Sequence, residues 1–234
     1  MREGRSVIHG MPSPRPAGPL RRVSTGSRSF DSMMEGGTAF GRFTEFSGEE
    51  GTGKSQLLFT LAVLFPRGSG RVFFVDTGGT FRPERLHQIA VLRGIEPDAV
   101  LGNVDVLEPR SPEKMAEGVV AALASGSYAG VLVDTLSELF YGAGALSRET
   151  ARLSLLCRSL AYHALANGTL VAAANGVRYN PESNLTHAQG FEHTAAYIHT
   201  RISLRRNAGR WLAVDSGTNA RAEFAVGPAG IVDI

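Results

Sequence analysis

A chain of 234 residues, 43% hydrophobic and 20% charged, has the composition of an ordinary globular domain and the length to bury a core without cross-links. Its one cysteine, Cys157, excludes an internal disulfide and any multi-cysteine metal site, and no apolar run reaches the ~20 residues that cross a bilayer as a helix. The formal net charge of +2 comes from residues 1–23, where five arginines face only Glu3; residues 24–234 are slightly acidic, so the folded part is not a surface that coats nucleic acid generally.

Residues 1–23 hold Pro12, Pro14, Pro16 and Pro19 among Gly, Ser and Arg. Proline at that density breaks helix and removes ladder donors, so this segment reads as a flexible basic arm. The core is expected to run over residues 24–234. A short strand at 42–47 leads into a glycine-rich loop, and 54–65 reads as a buried helix closed by Pro66 and Gly68. An apolar strand at 71–76 precedes a helix at 83–93 that has proline at its first turn, where no donor is missed. A strand at 104–107 is followed by a helix at 112–124 whose Met115, Val119, Val120 and Leu123 share one face. Further strands are expected at 130–134 and 169–174, on either side of a long helix at 148–166. Beyond them, 198–205, 210–215 and 221–226 read as strands joined by short Gly/Asn turns. Near-continuous apolar strands alternating with helices predict an α/β fold, a mostly parallel sheet covered on both faces, here with an antiparallel C-terminal extension.

Gly48-Glu49-Glu50-Gly51-Thr52-Gly53-Lys54-Ser55 satisfies G-x-x-x-x-G-K-[ST] at every fixed position and stands between a strand and a helix. Glycines let successive backbone N–H groups turn toward phosphate oxygens, and the helix N-terminus adds a favourable dipole. Lys54 is placed to reach β- and γ-phosphates and Ser55 to ligate Mg²⁺. Lysine is nearly absent: only Lys54 and Lys114 accompany 22 arginines. A P-loop needs a second carboxylate for the metal; Asp134, ending GVLVD, is the expected one, and Asp76, ending RVFFVD, is the competitor that pattern alone does not exclude. With no guanine-reading Asn-Lys-x-Asp, ATP is the expected nucleotide.

Six segments then carry a resemblance: residues 24–37 (STGSRSFDSMMEGG), the GEEGTGKSQ loop, 75–86 (VDTGGTFRPERL), 130–135 (GVLVDT), 172–177 (AAANGV) and 214–226 (VDSGTNARAEFAV). In order and content they resemble the RecA/RadA recombinase core, in its archaeal and eukaryotic branch. The resemblance implies a RecA-type P-loop NTPase core that binds ATP and Mg²⁺ and acts in homologous recombination and DNA repair. It implies an intracellular protein, nuclear in a eukaryote and cytoplasmic in an archaeon. Single-stranded DNA would be held by two loops, at residues 141–152, where Arg148 and Arg152 are the candidates, and at 177–194, where Arg178 is. Arg85 would lie over the adenine ring, a cation–π contact worth ~0.5–2 kcal/mol.

The chain also departs from that pattern. The family's water-orienting glutamate after the strand ending in Asp76-Thr77 is here Gly78, and its γ-phosphate-sensing glutamine after Asn175 is Gly176. Losing a positioned base costs ~10²–10⁴ in rate. Glu49, Glu50 and Glu138 are the carboxylates that could substitute as a base, although nothing in the spacing requires it. Residues 1–23 contain no phenylalanine for a Phe-x-x-Ala docking segment. The chain therefore resembles a core-only recombinase paralog, with weak ATP hydrolysis and other recombinase-family subunits as partners. An active DNA-dependent strand-exchange ATPase and an ATP-binding regulatory module without a DNA role are the competing readings. Cys157 and Trp211 are expected to pack in the core and the sheet, and Arg205, Arg206 and Arg210 to flank a solvated hairpin tip.

Overall fold

The computed structural model describes residues 20–234 apart from 67, 142–146, 181–184 and 208, so most of the expected arm lies outside the described residues. Strand β1 (Arg22–Val23) pairs antiparallel with β2 (Thr38–Ala39), and helix α1 (Arg28–Met33) lies between them in sequence. Arg22 and Val23, assigned to the arm by composition, thus belong to the folded part: Val23 is buried, and the Arg22 guanidinium donates to the carbonyls of Met34 and Gly37. Proline density marks where helix and ladder fail, but the pairing of Arg22 depends on a strand more than a dozen residues downstream.

The remaining elements follow the expected alternation. They are β3 (Phe43–Gly48), α2 (Lys54–Leu64), β4 (Arg71–Asp76), α3 (Pro83–Leu92), α4 (Pro97–Leu101), β5 (Val104–Leu107), α5 (Pro112–Ser125), β6 (Tyr128–Asp134), a single 3₁₀ turn (Glu138–Phe140), α6 (Ser147–Asn167) and β7 (Leu170–Asn175). A hairpin of β8 (Val177–Asn180) and β9 (Leu185–Ala188) and a short helix α7 (Phe191–Thr194) precede β10 (Thr200–Asn207), β11 (Arg210–Asp215), β12 (Arg221–Gly227) and β13 (Gly230–Val232). Local chemistry sets several of these boundaries. Ser111 caps α5 by accepting from the Lys114 N–H, Pro112 occupies the first helical position, and Gly126 ends the helix in the left-handed region.

Among the described residues, nine strands form one sheet in the order β13-β12-β11-β10-β3-β7-β6-β4-β5. From β10 to β5 neighbours are parallel; from β10 to β13 they form an antiparallel meander. Side chains alternate between two cores, as the pleat requires. Val72, Phe74, Leu132, Ala172 and Ala174 face α2 and α3, whereas Phe73, Val75, Val131, Val133, Val171 and Ala173 face α5 and α6. Helix α2 is buried continuously from Leu57 to Val63, where Thr60 is the one polar side chain and its hydroxyl donates to the Gln56 carbonyl. Cys157 is part of the second core, and burial pushes its thiol well above the ordinary cysteine range.

Candidate functional site

Parallel strands bring their carboxyl ends to one rim, the usual place for a ligand in such a sheet. Here the rim carries Gly48 on β3, Asp76 on β4, Asp134 on β6 and Asn175 on β7. Asp76 and Asp134 are register partners, as are Ser47 and Asn175. From Gly48 the chain turns through the loop into α2. A β-carbon at Gly48 would lie 2.4 Å from the Leu204 carbonyl, and Gly53 sits at φ +91°, so neither position accepts a side chain without strain.

The loop opens on a cavity of about 450 Å³ whose walls include Lys54, Ser55, Gly78, Asp134, Glu138 and Trp211. Lys54 Nζ donates to the Gly48 and Glu49 carbonyls, both at 2.8 Å, and so lies folded over its own loop. Burial holds its pKa below the ordinary lysine value, against the opposing charges of Asp134, Glu50 and Glu49. Asp134 is 4% exposed, and its Oδ2 has no hydrogen-bond partner among the described residues. Burial raises the Asp134 carboxyl above the usual range, with the Asp76 and Glu138 charges adding to this and Ser55 and Lys54 working against it.

Asp76, the competitor that pattern alone does not exclude, is committed elsewhere. Its Oδ2 accepts from the Phe81 N–H at 2.6 Å and its Oδ1 from the Thr80 hydroxyl at 3.5 Å, so it shapes the turn into α3. Of the two carboxylates, only Asp134 has a buried oxygen without a partner among the described residues. Glu49 and Glu50 are exposed on the loop; Thr52 is buried, its hydroxyl bonded to the Glu49 carbonyl at 2.7 Å.

The Arg85 guanidinium is held by the fold in this structure. It donates to Gln56 Oε1 and Gln88 Oε1 and to the carbonyls of Gly227 and Pro228, so it fastens the β12–β13 turn to α2 and α3 and does not line the cavity. Nothing in the local sequence signals this, because the partner carbonyls lie more than 140 residues away. Trp211 does more than pack in the sheet. It lines the cavity, donates from Nε1 to the Gly51 carbonyl at 3.3 Å, and lies under the Arg206 guanidinium at 4.6 Å from its ring centre.

Each of the two glycine departures has a polar side chain beside it. A β-carbon at Gly78 would stand 3.9 Å from Glu138 Oε2, and one at Gly176 would stand 3.4 Å from Gln189 Oε1. Next to Glu138, the Ser137 hydroxyl donates to Asn175 Oδ1 at 2.5 Å, and Asn175 Nδ2 donates to Glu45 Oε1 at 2.8 Å and to the Gln189 carbonyl at 2.9 Å. Glu45, fully buried, also accepts from Arg201 Nε at 2.9 Å. A continuous polar chain thus joins the turn after β6 to the segment that follows the β8–β9 hairpin.

The expected DNA contacts separate in the structure. Arg178 on β8 and Arg148 at the start of α6 are exposed. Arg152 is largely buried and ion-paired with Glu113 on α5 and Glu149 on α6, a charge already neutralised within the fold. Parts of both expected loops, residues 142–146 and 181–184, lie outside the described residues.

A glycine loop between strand and buried helix, facing a buried carboxylate two strands away in a sheet with an antiparallel flank, defines a P-loop core of RecA type. The Rad51 family model matches residues 19–234, and the chain belongs to that family. It is 32% identical over 238 residues to the DNA repair protein RAD51 of Mycosarcoma maydis, covering 92% of this chain and 70% of that relative. It is 32% identical to the DNA repair protein RAD51 of Saccharomyces cerevisiae, over 68% of this chain and 45% of the relative. To the meiotic recombination protein DMC1 of the same yeast it is also 32% identical, over 80% of this chain and 62% of the relative. The chain therefore spans less than two thirds of the two yeast relatives. No helix among the described residues is long and apolar enough to cross a membrane.

Proposed function

We propose that this protein is an ATP- and Mg²⁺-binding member of the Rad51 family that works in homologous recombination and DNA repair, on single-stranded DNA and with other recombinase-family subunits. The observation that carries the nucleotide reading is the orphaned Oδ2 of Asp134, a residue that lines the same cavity as Lys54 and Ser55. A buried carboxylate oxygen without a donor is costly unless a cation completes it. Oxygen donors of this kind suit a hard divalent ion, so Asp134 and the Ser55 hydroxyl would hold Mg²⁺. When bound, Mg²⁺ neutralises charge on the β- and γ-phosphates. The loop's N–H groups would cradle those phosphates, and Lys54 would exchange its two carbonyl partners for phosphate oxygen.

The DNA role is supported by the family and by the printed roles of its relatives in DNA repair and meiotic recombination. An accessory place beside other recombinase subunits is supported by Gly176, which puts no side chain where the resemblance assigns nucleotide sensing. The relatives are fungal, and chromosomal DNA in such cells lies in the nucleus, the proposed site of action.

The test is equilibrium binding of labelled ATP with Mg²⁺, repeated at rising concentrations of single-stranded DNA. Coupling of about 5-fold or more in ATP affinity is expected, because linkage makes the effect reciprocal. ATP bound with no response to DNA would overturn the DNA role and favour a regulatory module; no ATP binding would overturn the nucleotide reading itself.

A further inference from the structure

Holding a nucleotide and cleaving it are separate tasks, and cleavage needs a group that orients water at the γ-phosphate. Three carboxylates line the cavity: Glu50, Asp134 and Glu138. Asp134 is buried against Ser55 and is taken by the cation role. Glu50 sits exposed on the loop itself, with no hydroxyl among the described residues to fix it. Glu138 differs from both. It stands on the 3₁₀ turn after β6, and its Oε2 accepts from the Thr135 hydroxyl at 3.1 Å and the Thr77 hydroxyl at 3.4 Å. The Thr135 hydroxyl therefore aims this carboxylate oxygen, and the Thr77 hydroxyl stands beside it, its one hydrogen shared with the Thr135 carbonyl at 3.2 Å.

That oxygen lies beside Gly78, 3.9 Å from where a β-carbon would stand. The missing side chain at 78 leaves space at the cavity wall, and the Glu138 carboxylate reaches it from the neighbouring strand.

We propose that Glu138 orients and deprotonates the attacking water, so that the protein hydrolyses ATP despite Gly78. This rests on the cavity being an ATP site. In the step, the water oxygen bonds to the γ-phosphorus as the bond from phosphorus to the β,γ-bridging oxygen breaks. ADP and inorganic phosphate result, and the water's proton passes through the Glu138 carboxylate to solvent.

The experiment compares phosphate release and equilibrium ATP binding, with and without single-stranded DNA, for the full chain and for Glu138→Gln, Lys54→Ala and Gly78→Glu/Glu138→Gln. Glu138→Gln should lower turnover about 100-fold or more while ATP affinity stays within about threefold, the mark of an interaction made only in the transition state. Gly78→Glu in the Glu138→Gln background should recover at least about tenfold, since a β-carbon at 78 meets nothing nearer than 3.5 Å. Turnover of Glu138→Gln within about threefold of wild type would overturn the proposal. So would a wild type that binds ATP yet releases phosphate no faster than Lys54→Ala, a result that leaves the ATP site standing. A matched loss of binding and turnover in Glu138→Gln would assign the residue to site integrity and also count against it. Absence of ATP binding in the wild type would remove the underlying reading, and this proposal with it.

Discussion

Asp134→Asn sets stability against function at one atom. In the nucleotide-free protein a buried carboxylate with an unpartnered oxygen costs ~1–3 kcal/mol, and neutralising it removes much of that. Because burial raises the folded carboxyl above its unfolded value, Asp134 contributes stability that is complete below the unfolded carboxylate pKa and lost as pH rises through the folded one. Neutral pH is on the costly side. Asp134→Asn should therefore melt higher than wild type without nucleotide, by at least ~2 °C for a domain of this size, with a gap that widens from acid to neutral pH. With Mg²⁺ and ATP the order should reverse. Ligand at 100 times its Kd stabilises by ~2.7 kcal/mol, which is ~5–11 °C here, and the variant should lose most of that shift. Thermal unfolding at pH 5 and pH 7.5, with and without Mg-ATP, reads both effects. An unchanged melting temperature without nucleotide, or an equal Mg-ATP shift in both proteins, would refute the argument that this oxygen awaits a cation.

Trp211, the chain's only tryptophan, lines the cavity, so Mg-ATP should change its fluorescence; Lys54→Ala should abolish the change, and a silent signal in a protein that binds ATP by dialysis would contradict the placement. Arg201→Met leaves the fully buried Glu45 with the Asn175 amide as its one remaining side-chain donor and should cost ~3–5 kcal/mol in urea unfolding; a loss under ~1 kcal/mol would mean the pair is not what holds Glu45 in place. Arg178→Ala should lower the salt dependence of single-stranded DNA binding by ~0.7 in log–log slope, whereas Arg152→Ala should leave the slope alone. Equal changes in both would refute the view that the Glu113 and Glu149 ion pairs keep Arg152 from phosphate.

The loop from Gly48 to Ser55, the helix after it and the alternation of apolar strands were legible in the residues, because each rests on local chemistry: a glycine pattern, a mostly apolar helix, a period. So was the RecA-type core with its antiparallel extension. The short pieces were not legible. Helices α1 and α4 and strands β1, β2, β8, β9 and β13 are too brief to show a period, and their pairing partners are supplied by the fold.

The site divides along the same line. Pattern alone favoured Asp134 without excluding Asp76, since both end apolar strands. The tertiary structure separates them, because the turn at Thr80 and Phe81 spends its donors on Asp76, while Asp134 keeps one buried oxygen, Oδ2, without a partner among the described residues. Arg85 carried a motif that pointed to adenine, yet distant carbonyls take its donors. Glu138 carried no motif at all. Its significance comes from two threonine hydroxyls and the space beside Gly78, which meet only when β4 and β6 lie side by side. The sequence by itself determined which loop can hold phosphate, because a P-loop is made of contiguous backbone. Which carboxylates serve it was decided by the sheet, because those side chains are neighbours only across strands.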